Sequence, residues 1–551
     1  TLSVRNAKAE SQRGVIYSVA PGMRDAGIIW AGTDDGLLWV TRDGGGHWTN
    51  VTPPGLSPWS KVTQIAASAF DDETAYASVS RFRIDDLRPY IYRTRDGGRS
   101  WQPIVAGLPA SPVNAVREDP VRKGLLYAGT ETGVWTSFDD GDHWQTLQRN
   151  LPHTSVRDLI VHQGDLIVAT HGRGFWILDD LSPLRQFTPA GATASAFLFR
   201  PSVALRVRPS LNTDTPLPAD EPAGENPPDG AVIDYSLGWS ASGPVTLEIL
   251  DGFGRVARRY ASTDVPWITD AELQTQTIPT YWVKMPETLQ GSAGMHRWVW
   301  DLHYEAPLSV EHQYQISAVP HRTPRTPQGP WAVPGTYSVR LTANGKTLTT
   351  PLTVKMDPRV TTPPAGIAQM FELQTRLAGM LSRSSTAVLK AGSLTRQLDR
   401  LGEVGGKVGS LKASMSSFRE QLTLLLDDPK KVTSEAARET AEETARRVAA
   451  PAKSPEQSKP PEPKPPVTLS GVESALASLY EMIDRTDATP TAAQVEAVSS
   501  TAVQFDDAIK RWDTFESTAI PRLNLELQQY HLEPLRPIAE TPPMEGGEHE
   551  E

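Results

Sequence analysis

Short runs of alternating apolar and polar residues, separated by Gly and Asp, fill the first third of the chain. In the first such stretch, residues 28–31, 37–41 and 47–51 read as strands with turn residues between them. A hydroxyl-x-Asp-x-Gly-x-x-Trp phrase recurs three times in this pattern, as Thr41/Asp43/Gly45/Trp48, Thr94/Asp96/Gly98/Trp101 and Ser137/Asp139/Gly141/Trp144. The tryptophans are 53 and 43 residues apart. A period of about 40–50 residues with four strand-like runs per unit predicts propeller blades. The spacing has a physical reason. A short hydroxyl and a carboxylate two positions on accept backbone N–H groups inside a hairpin, Gly supplies positive φ, and Trp is expected to anchor the outgoing strand. Asp43, Asp96 and Asp139 are therefore read as turn-formers, not as a shared pocket.

A second set of turns aligns between the units at Gly32-Thr33-Asp34-Asp35-Gly36, Gly129-Thr130-Glu131-Thr132-Gly133 and 169–174. In a meander these fall at the end opposite the Asp turns, where propellers carry binding loops. The second unit inserts residues 81–90 here, which reads as a long loop. The candidate ligand face is thus Asp34, Asp35, Arg81, Arg83, Asp85, Arg88, Tyr90, Glu131, His171 and Arg173. Two carboxylates across a channel would run glycoside hydrolysis, and Arg81 with Arg173 would fork onto a carboxylate ligand. In a fourth unit Asp180 stands where the turn Asp is expected, but Ser182 replaces the Gly and Pro183 ends the strand. Four units lie at the lower limit for a propeller, so further blades upstream are expected.

The pattern changes downstream. Residues 1–185 are assigned to the blades and 186–230 to a Pro- and Asp-rich connecting segment. Residues 231–358 follow as an immunoglobulin-like β-sandwich, with Asp251-Gly252 and Asn344-Gly345 as hairpin turns and Trp298 and Trp300 on a core strand. From Ala365 helical spacing takes over: Met370, Leu373, Leu377 and Leu381 form one stripe, and Leu411, Met415, Phe418 and Leu422 another. Helical regions at 361–450 and 468–535 flank a Pro/Lys/Glu linker at 451–467, and an acidic tail covers 536–551. Pairing across the linker would close an up-down bundle; the alternative is docking on a partner. The fold class is mainly β with a helical C-terminal region.

Composition narrows the chemistry. A net charge of -11 argues against nucleic acid, whose binders concentrate Lys and Arg. The absence of cysteine excludes disulfides, thiolate metal sites and a cysteine nucleophile. No run reaches the roughly 20 apolar residues of a membrane span. No P-loop, His-Glu-x-x-His or Gly-x-Ser-x-Gly is present, so no cofactor and no metal are expected.

The run Thr170-His171-Gly172-Arg173-Gly174-Phe175-Trp176-Ile177-Leu178-Asp179-Asp180 resembles the phrase that closes the propeller of bacterial Asp-box (BNR) proteins, the sortilin-like or glycosyl-hydrolase-like group. Gly294 to Leu302 and Pro334 to Leu341 are similar to that group's β-domain, and Asp484 to Thr491 to the break between helices in its tail. The resemblance implies an export signal, a longer propeller and an extracytoplasmic location. Sialidase-like members need a Phe-Arg-Ile-Pro phrase, whereas this chain has Phe82-Arg83-Ile84-Asp85. The expectation is an exported scaffold binding a protein, peptide or glycan through its loop face, with assembly through the helical region. The alternative is a glycoside hydrolase whose carboxylates lie partly in absent blades.

Overall fold

The computed structural model describes residues 14–188, 191, 193–209, 218, 224, 226–274, 278–314, 321–405, 409–426 and 467–539. The linker expected at 451–466 and most of the acidic tail lie outside the described residues. The chain divides into two compact units, Thr1–Thr193 and Ala194–Glu551.

The first unit is built of antiparallel meander sheets laid in series. Sheet 1 holds β1 (Ile16–Pro21), β2 (Ile29–Thr33), β3 (Leu38–Thr41) and β4 (Thr49–Asn50). Sheet 2 holds β5 (Lys61–Ala67), β6 (Ala75–Arg81), β7 (Asp86–Thr94) and β8 (Gln102–Pro103). Sheet 3 holds β9 (Val113–Glu118), β10 (Leu126–Thr130), β11 (Val134–Ser137) and β12 (Gln145–Thr146). Sheet 4 has three strands among the described residues, β13 (Val156–His162), β14 (Asp165–Thr170) and β15 (Phe175–Leu178). This is the strand order expected of propeller blades, and each sheet buries one apolar face on the next. Trp30, Leu38 and Val40 of sheet 1 meet Val62, Ile65, Ala77 and Val79 of sheet 2. Tyr127 and Val134 of sheet 3 meet Val156, Leu159 and Val168 of sheet 4.

Register repeats as faithfully as sequence. Each first strand carries one β-bulge at the same place, between pairs Ile16↔Thr33 and Ser18↔Gly32, Val62↔Val79 and Gln64↔Ser78, Val113↔Thr130 and Ala115↔Gly129, and Val156↔Thr170 and Asp158↔Ala169. The residues left unpaired are Tyr17, Thr63, Asn114 and Arg157. A bulge re-aims its extra side chain away from the ladder, and here it does so beside the candidate loops.

The Asp motifs close their own hairpins. Thr41 Oγ1 donates to Asp43 Oδ1 at 2.8 Å, while Gly45 N–H donates to Thr41 Oγ1 at 3.0 Å and His47 N–H to Asp43 Oδ1 at 2.9 Å. Thr94/Asp96/Gly98/Ser100 and Ser137/Asp139/Gly141/His143 repeat these bonds. The side-chain hydroxyl and amide of Ser100 hold the Asp96 carboxyl down at about 2. Burial alone would raise Asp139, but the ring and amide of His143 outweigh it and lower it. The tryptophans differ from expectation. Trp101 donates to the Val51 carbonyl at 2.7 Å and Trp144 to the Ile104 carbonyl at 2.9 Å, so each anchors onto the sheet before its own and not onto its outgoing strand. The indole N–H needs an acceptor when covered, and the preceding sheet's outer segment provides it.

The second unit contains two sheets facing one core. One is β16 (Ala196–Leu198), β18 (Ala231–Leu237) and β21 (Gly294–Trp300), in the order β16-β18-β21. The other is β17 (Ala204–Arg206), β25 (Lys346–Met356), β24 (Gly335–Ala343), β19 (Thr246–Leu250) and β20 (Val256–Ala261), with β17 parallel to β25. Two corrections follow. The stretch 186–230, expected only to connect, supplies β16 and β17, and the sandwich is not wholly antiparallel. Three-residue edge strands are too short to show alternation in sequence. Trp298 and Trp300 lie in the shared core with Ile233, Tyr235, Leu247 and Val339.

Four helices complete this unit: α1 (Pro364–Gly405), α2 (Gly409–Leu426), α3 (Leu469–Asp484) and α4 (Ala492–Gln529). They share one apolar core across the linker, including Leu377, Leu394, Phe418, Leu476, Tyr480, Phe505 and Trp512. Thr491 and Gln494 form a reciprocal capping box that starts α4. That helix runs well past Phe515, where the apolar stripe was expected to stop, and passes through Pro521. Continued packing of Leu523 and Leu527 on the bundle core outweighs the helix-breaking tendency of proline.

Candidate functional site

Because strands alternate direction, the β2–β3, β6–β7, β10–β11 and β14–β15 turns share one end of the sheets, opposite the Asp hairpins. The sequence candidates sit at this end, but the structure gathers them into separate groups.

In sheet 1, Asp34 is spent on the backbone: its Oδ1 accepts from Val15 N–H at 2.8 Å. Asp35 is buried, and Thr33 Oγ1 donates to its Oδ1 at 2.5 Å. Beside it stands Trp59, whose N–H donates to the Asp35 carbonyl at 2.7 Å and whose φ is 67°. A tryptophan in the left-handed region is strained, and the surrounding contacts must over-determine it. Nothing in the local sequence marks Trp59, since its conformation is imposed by the approach of 57–60 to the β2–β3 turn.

In sheet 2 the expected long loop is mostly strand. β6 and β7 continue to Arg81 and Asp86, leaving one 3-10 turn, Phe82–Ile84, with Asp85 in the left-handed conformation at φ 63°. Arg88 and Tyr90 therefore lie on β7 and not in a loop. Arg81, Arg88 and Tyr90 converge on Asp86, a residue that sequence reasoning missed. Arg81 Nη1 stands 3.1 Å and Arg88 Nη2 2.9 Å from Asp86 Oδ2, and the Tyr90 hydroxyl donates to the same oxygen at 2.7 Å. The Arg88 guanidinium, with the Tyr90 hydroxyl, holds the Asp86 carboxyl well below the usual carboxylate range. Burial, with the bond to Asp86, pushes the Tyr90 phenol up. The turn itself projects Phe82, Arg83, Ile84 and Leu87 into solvent.

In sheets 3 and 4, Glu131 accepts from Asn114 Nδ2 at 3.0 Å and from Arg157 Nη1 at 3.0 Å. Asn114 and Arg157 are bulge residues. The bulges also stitch the sheets together: Thr63 Oγ1 donates to the Val113 carbonyl at 3.2 Å and Asn114 Nδ2 to the Val156 carbonyl at 3.0 Å. Lys61 Nζ covers the Tyr17 ring at 3.4 Å from its centroid. One step deeper, Gln64 Nε2 donates to Asp158 Oδ1 at 2.6 Å, Gln64 Oε1 accepts from Val116 N–H, and Arg117 Nη2 lies 3.5 Å from Asp158. First strands of three sheets thus meet at one polar hub. Burial lowers the Arg117 guanidinium and Asp158 opposes that shift. His171 and Arg173 are exposed on the β14–β15 turn and join none of these groups.

Chemically, the loop end pairs Asp86 and Glu131 with arginines, which favours the charged form and disfavours proton donation. Among the described residues no group of three or more His, Asp or Glu side chains is placed to hold a metal ion. No helix among them is long and apolar enough to cross a membrane.

No family model and no curated protein matches the chain. Solved structures similar to it include YCF48 bound to D1 peptide, at 20% identity over 30% of this chain and 52% of that one, with a TM-score of 0.25. YCF48 from Cyanidioschyzon merolae is similar at 16% identity over 30% and 53%, with a TM-score of 0.24. The GH74 xyloglucanase from Xanthomonas campestris is similar at 15% identity over 45% and 36%, with a TM-score of 0.26. The match spans about half the length of the two YCF48 structures.

Proposed function

We propose that this chain is an exported binding scaffold of the Asp-box propeller type, which takes a protein or peptide ligand on its loop end. In this reading the serial sheets are propeller blades, the sandwich is immunoglobulin-like, and the helical bundle spaces or assembles the binding unit. The observation that carries it is the β6–β7 hairpin tip. Phe82, Ile84 and Leu87 are exposed large apolar side chains, flanked by Arg83 and Arg88 and braced from below by the Arg81–Asp86–Tyr90 cluster. Exposed aromatic and Arg residues on a rigid support are the usual anchors of a protein interface. The flanking cations favour a ligand segment that mixes acidic and apolar residues. Screening the intact protein against peptide and glycan arrays tests this. Binding to acidic-apolar peptides that weakens about tenfold in Phe82→Ala and in Arg83→Ala supports it; binding indifferent to both substitutions refutes it.

A second reading, a glycoside hydrolase, is favoured by one observation. Asp35 is a buried carboxylate at the loop end held by a hydroxyl, with the aromatic Trp59 strained beside it. Hydrolysis of a polysaccharide by the intact protein, lost in Asp35→Asn, would establish that reading in place of the first.

A further inference from the structure

The equivalence of register between sheets exposes an inconsistency at the two ends of the series. Val62, Val113 and Val156 occupy one first-strand position and are all buried; Ile16 occupies the same position in sheet 1 and is 63% exposed. Ile65, Val116 and Leu159 occupy a second such position and are buried, whereas Val19 is 59% exposed. The Asp hairpin shows the same break. An added Cβ on Gly98 would lie 2.7 Å from Val51, and one on Gly141 would lie 2.4 Å from Ile104, yet Gly45 has nothing within 4 Å. Trp144 is buried on the preceding sheet, and Trp48 is exposed. Sheet 1 therefore has the face of a sheet that expects a neighbour before it.

Sheet 4 has the converse. Leu38 and Val40 of sheet 1, and Val134 and Thr136 of sheet 3, are third-strand positions buried by the following sheet. Their counterparts Phe175 and Ile177 are 79% and 58% exposed, and Ile160 on the first strand is 50% exposed. An apolar surface of this kind at both ends marks an interface. The two open faces are the two halves of the contact that joins the sheets within the chain.

We infer that two copies of this chain associate head to tail, with the Phe175/Ile177/Ile160 face of one seated on the Ile16/Val19 face of the other. The contact continues the sheet-on-sheet packing already present between sheets 1 and 2 and between sheets 3 and 4. A heterologous contact of this kind leaves a second pair of faces, which closes as a ring of two or extends further.

Sedimentation of the intact chain over a range of concentrations tests the inference, using wild type, Val19→Glu and Phe175→Glu. Wild type is expected to self-associate, and each variant alone to lose the association by about tenfold or more in affinity. An equimolar mixture of the two variants should regain it, because one of its two possible contacts joins unaltered faces. Equal urea midpoints for the three proteins establish that the substitutions act on association and not on folding. A wild type that stays monomeric overturns the inference and leaves these faces to another occupant, such as further sheets of the same repeat. A mixture no better than either variant overturns the head-to-tail geometry. Neither result bears on ligand binding at the Phe82 hairpin, which is read separately on the arrays.

Discussion

Arg206, on β17 of the sandwich, and Asp487, in the break between α3 and α4, meet at 2.5 Å although they are 281 residues apart. Arg206 is fully buried. It also donates to the Ala332 carbonyl at 3.1 Å and stands 5.5 Å from the Trp331 ring, while Arg208 Nε reaches the same Asp487 oxygen at 2.9 Å. The β-layers and the helices of the second unit are joined here by a paired charge, supplemented by the Tyr480 hydroxyl donating to the Gln328 carbonyl.

Breaking a buried pair from one side strands the other charge. Arg206→Ala is therefore expected to destabilise the second unit by about 3–5 kcal/mol. The double variant Arg206→Met/Asp487→Leu should recover much of that loss, since neither charge then remains to be buried. Urea unfolding of the two variants and wild type checks this; equal losses in both variants would disprove it.

The backward-reaching tryptophans give a contrast within one protein. Trp144→Ala removes a buried ring and its bond to Ile104, at an expected cost of about 3–5 kcal/mol. Trp48→Ala removes an exposed ring and should change stability by about 0.5 kcal/mol or less. Chemical denaturation followed by circular dichroism reads both.

Glycines in the hairpins differ in the same way. At φ 91° Gly141 lies in the region that favours glycine, and an added Cβ would press on Ile104. Gly45 has a similar φ of 103° but open space around it. Gly141→Ala should cost about 1–3 kcal/mol more than Gly45→Ala, measured by the shift in unfolding midpoint.

Stability should also respond to mild acid through His312. Burial, with the nearby Arg325, pushes its imidazole down to about 4. The unfolded imidazole protonates near pH 6.5, roughly its ordinary value. Between those two values the unfolded chain binds the extra proton, so stability falls as pH drops from about 6.5 towards 4 and is flat with respect to this group below that. Replacing His312 by Gln should flatten the unfolding free energy of the second unit across this window. An unchanged slope would show that another group is responsible.

What the sequence alone determined is what short-range chemistry dictates. The repeat of hydroxyl, Asp and Gly specifies a hairpin wherever it occurs, because all of its hydrogen bonds close within five residues. The helical stripes through Leu377 and Leu476 are likewise local, each defining a face before any partner is known. Tertiary structure decided everything that depends on which sheet comes next. The partner of Trp101, the burial of Val62 against the exposure of Ile16, the bulge residues Asn114 and Arg157 that hold Glu131, the strained Trp59 and the centring of Arg81, Arg88 and Tyr90 on Asp86 all arise from contacts between elements. A residue's sequence neighbourhood records the turn it makes; the acceptor for its indole or the charge for its guanidinium is supplied from across the sheet. For that reason the architecture was largely legible in the chain, whereas the grouping of the loop-end residues was not.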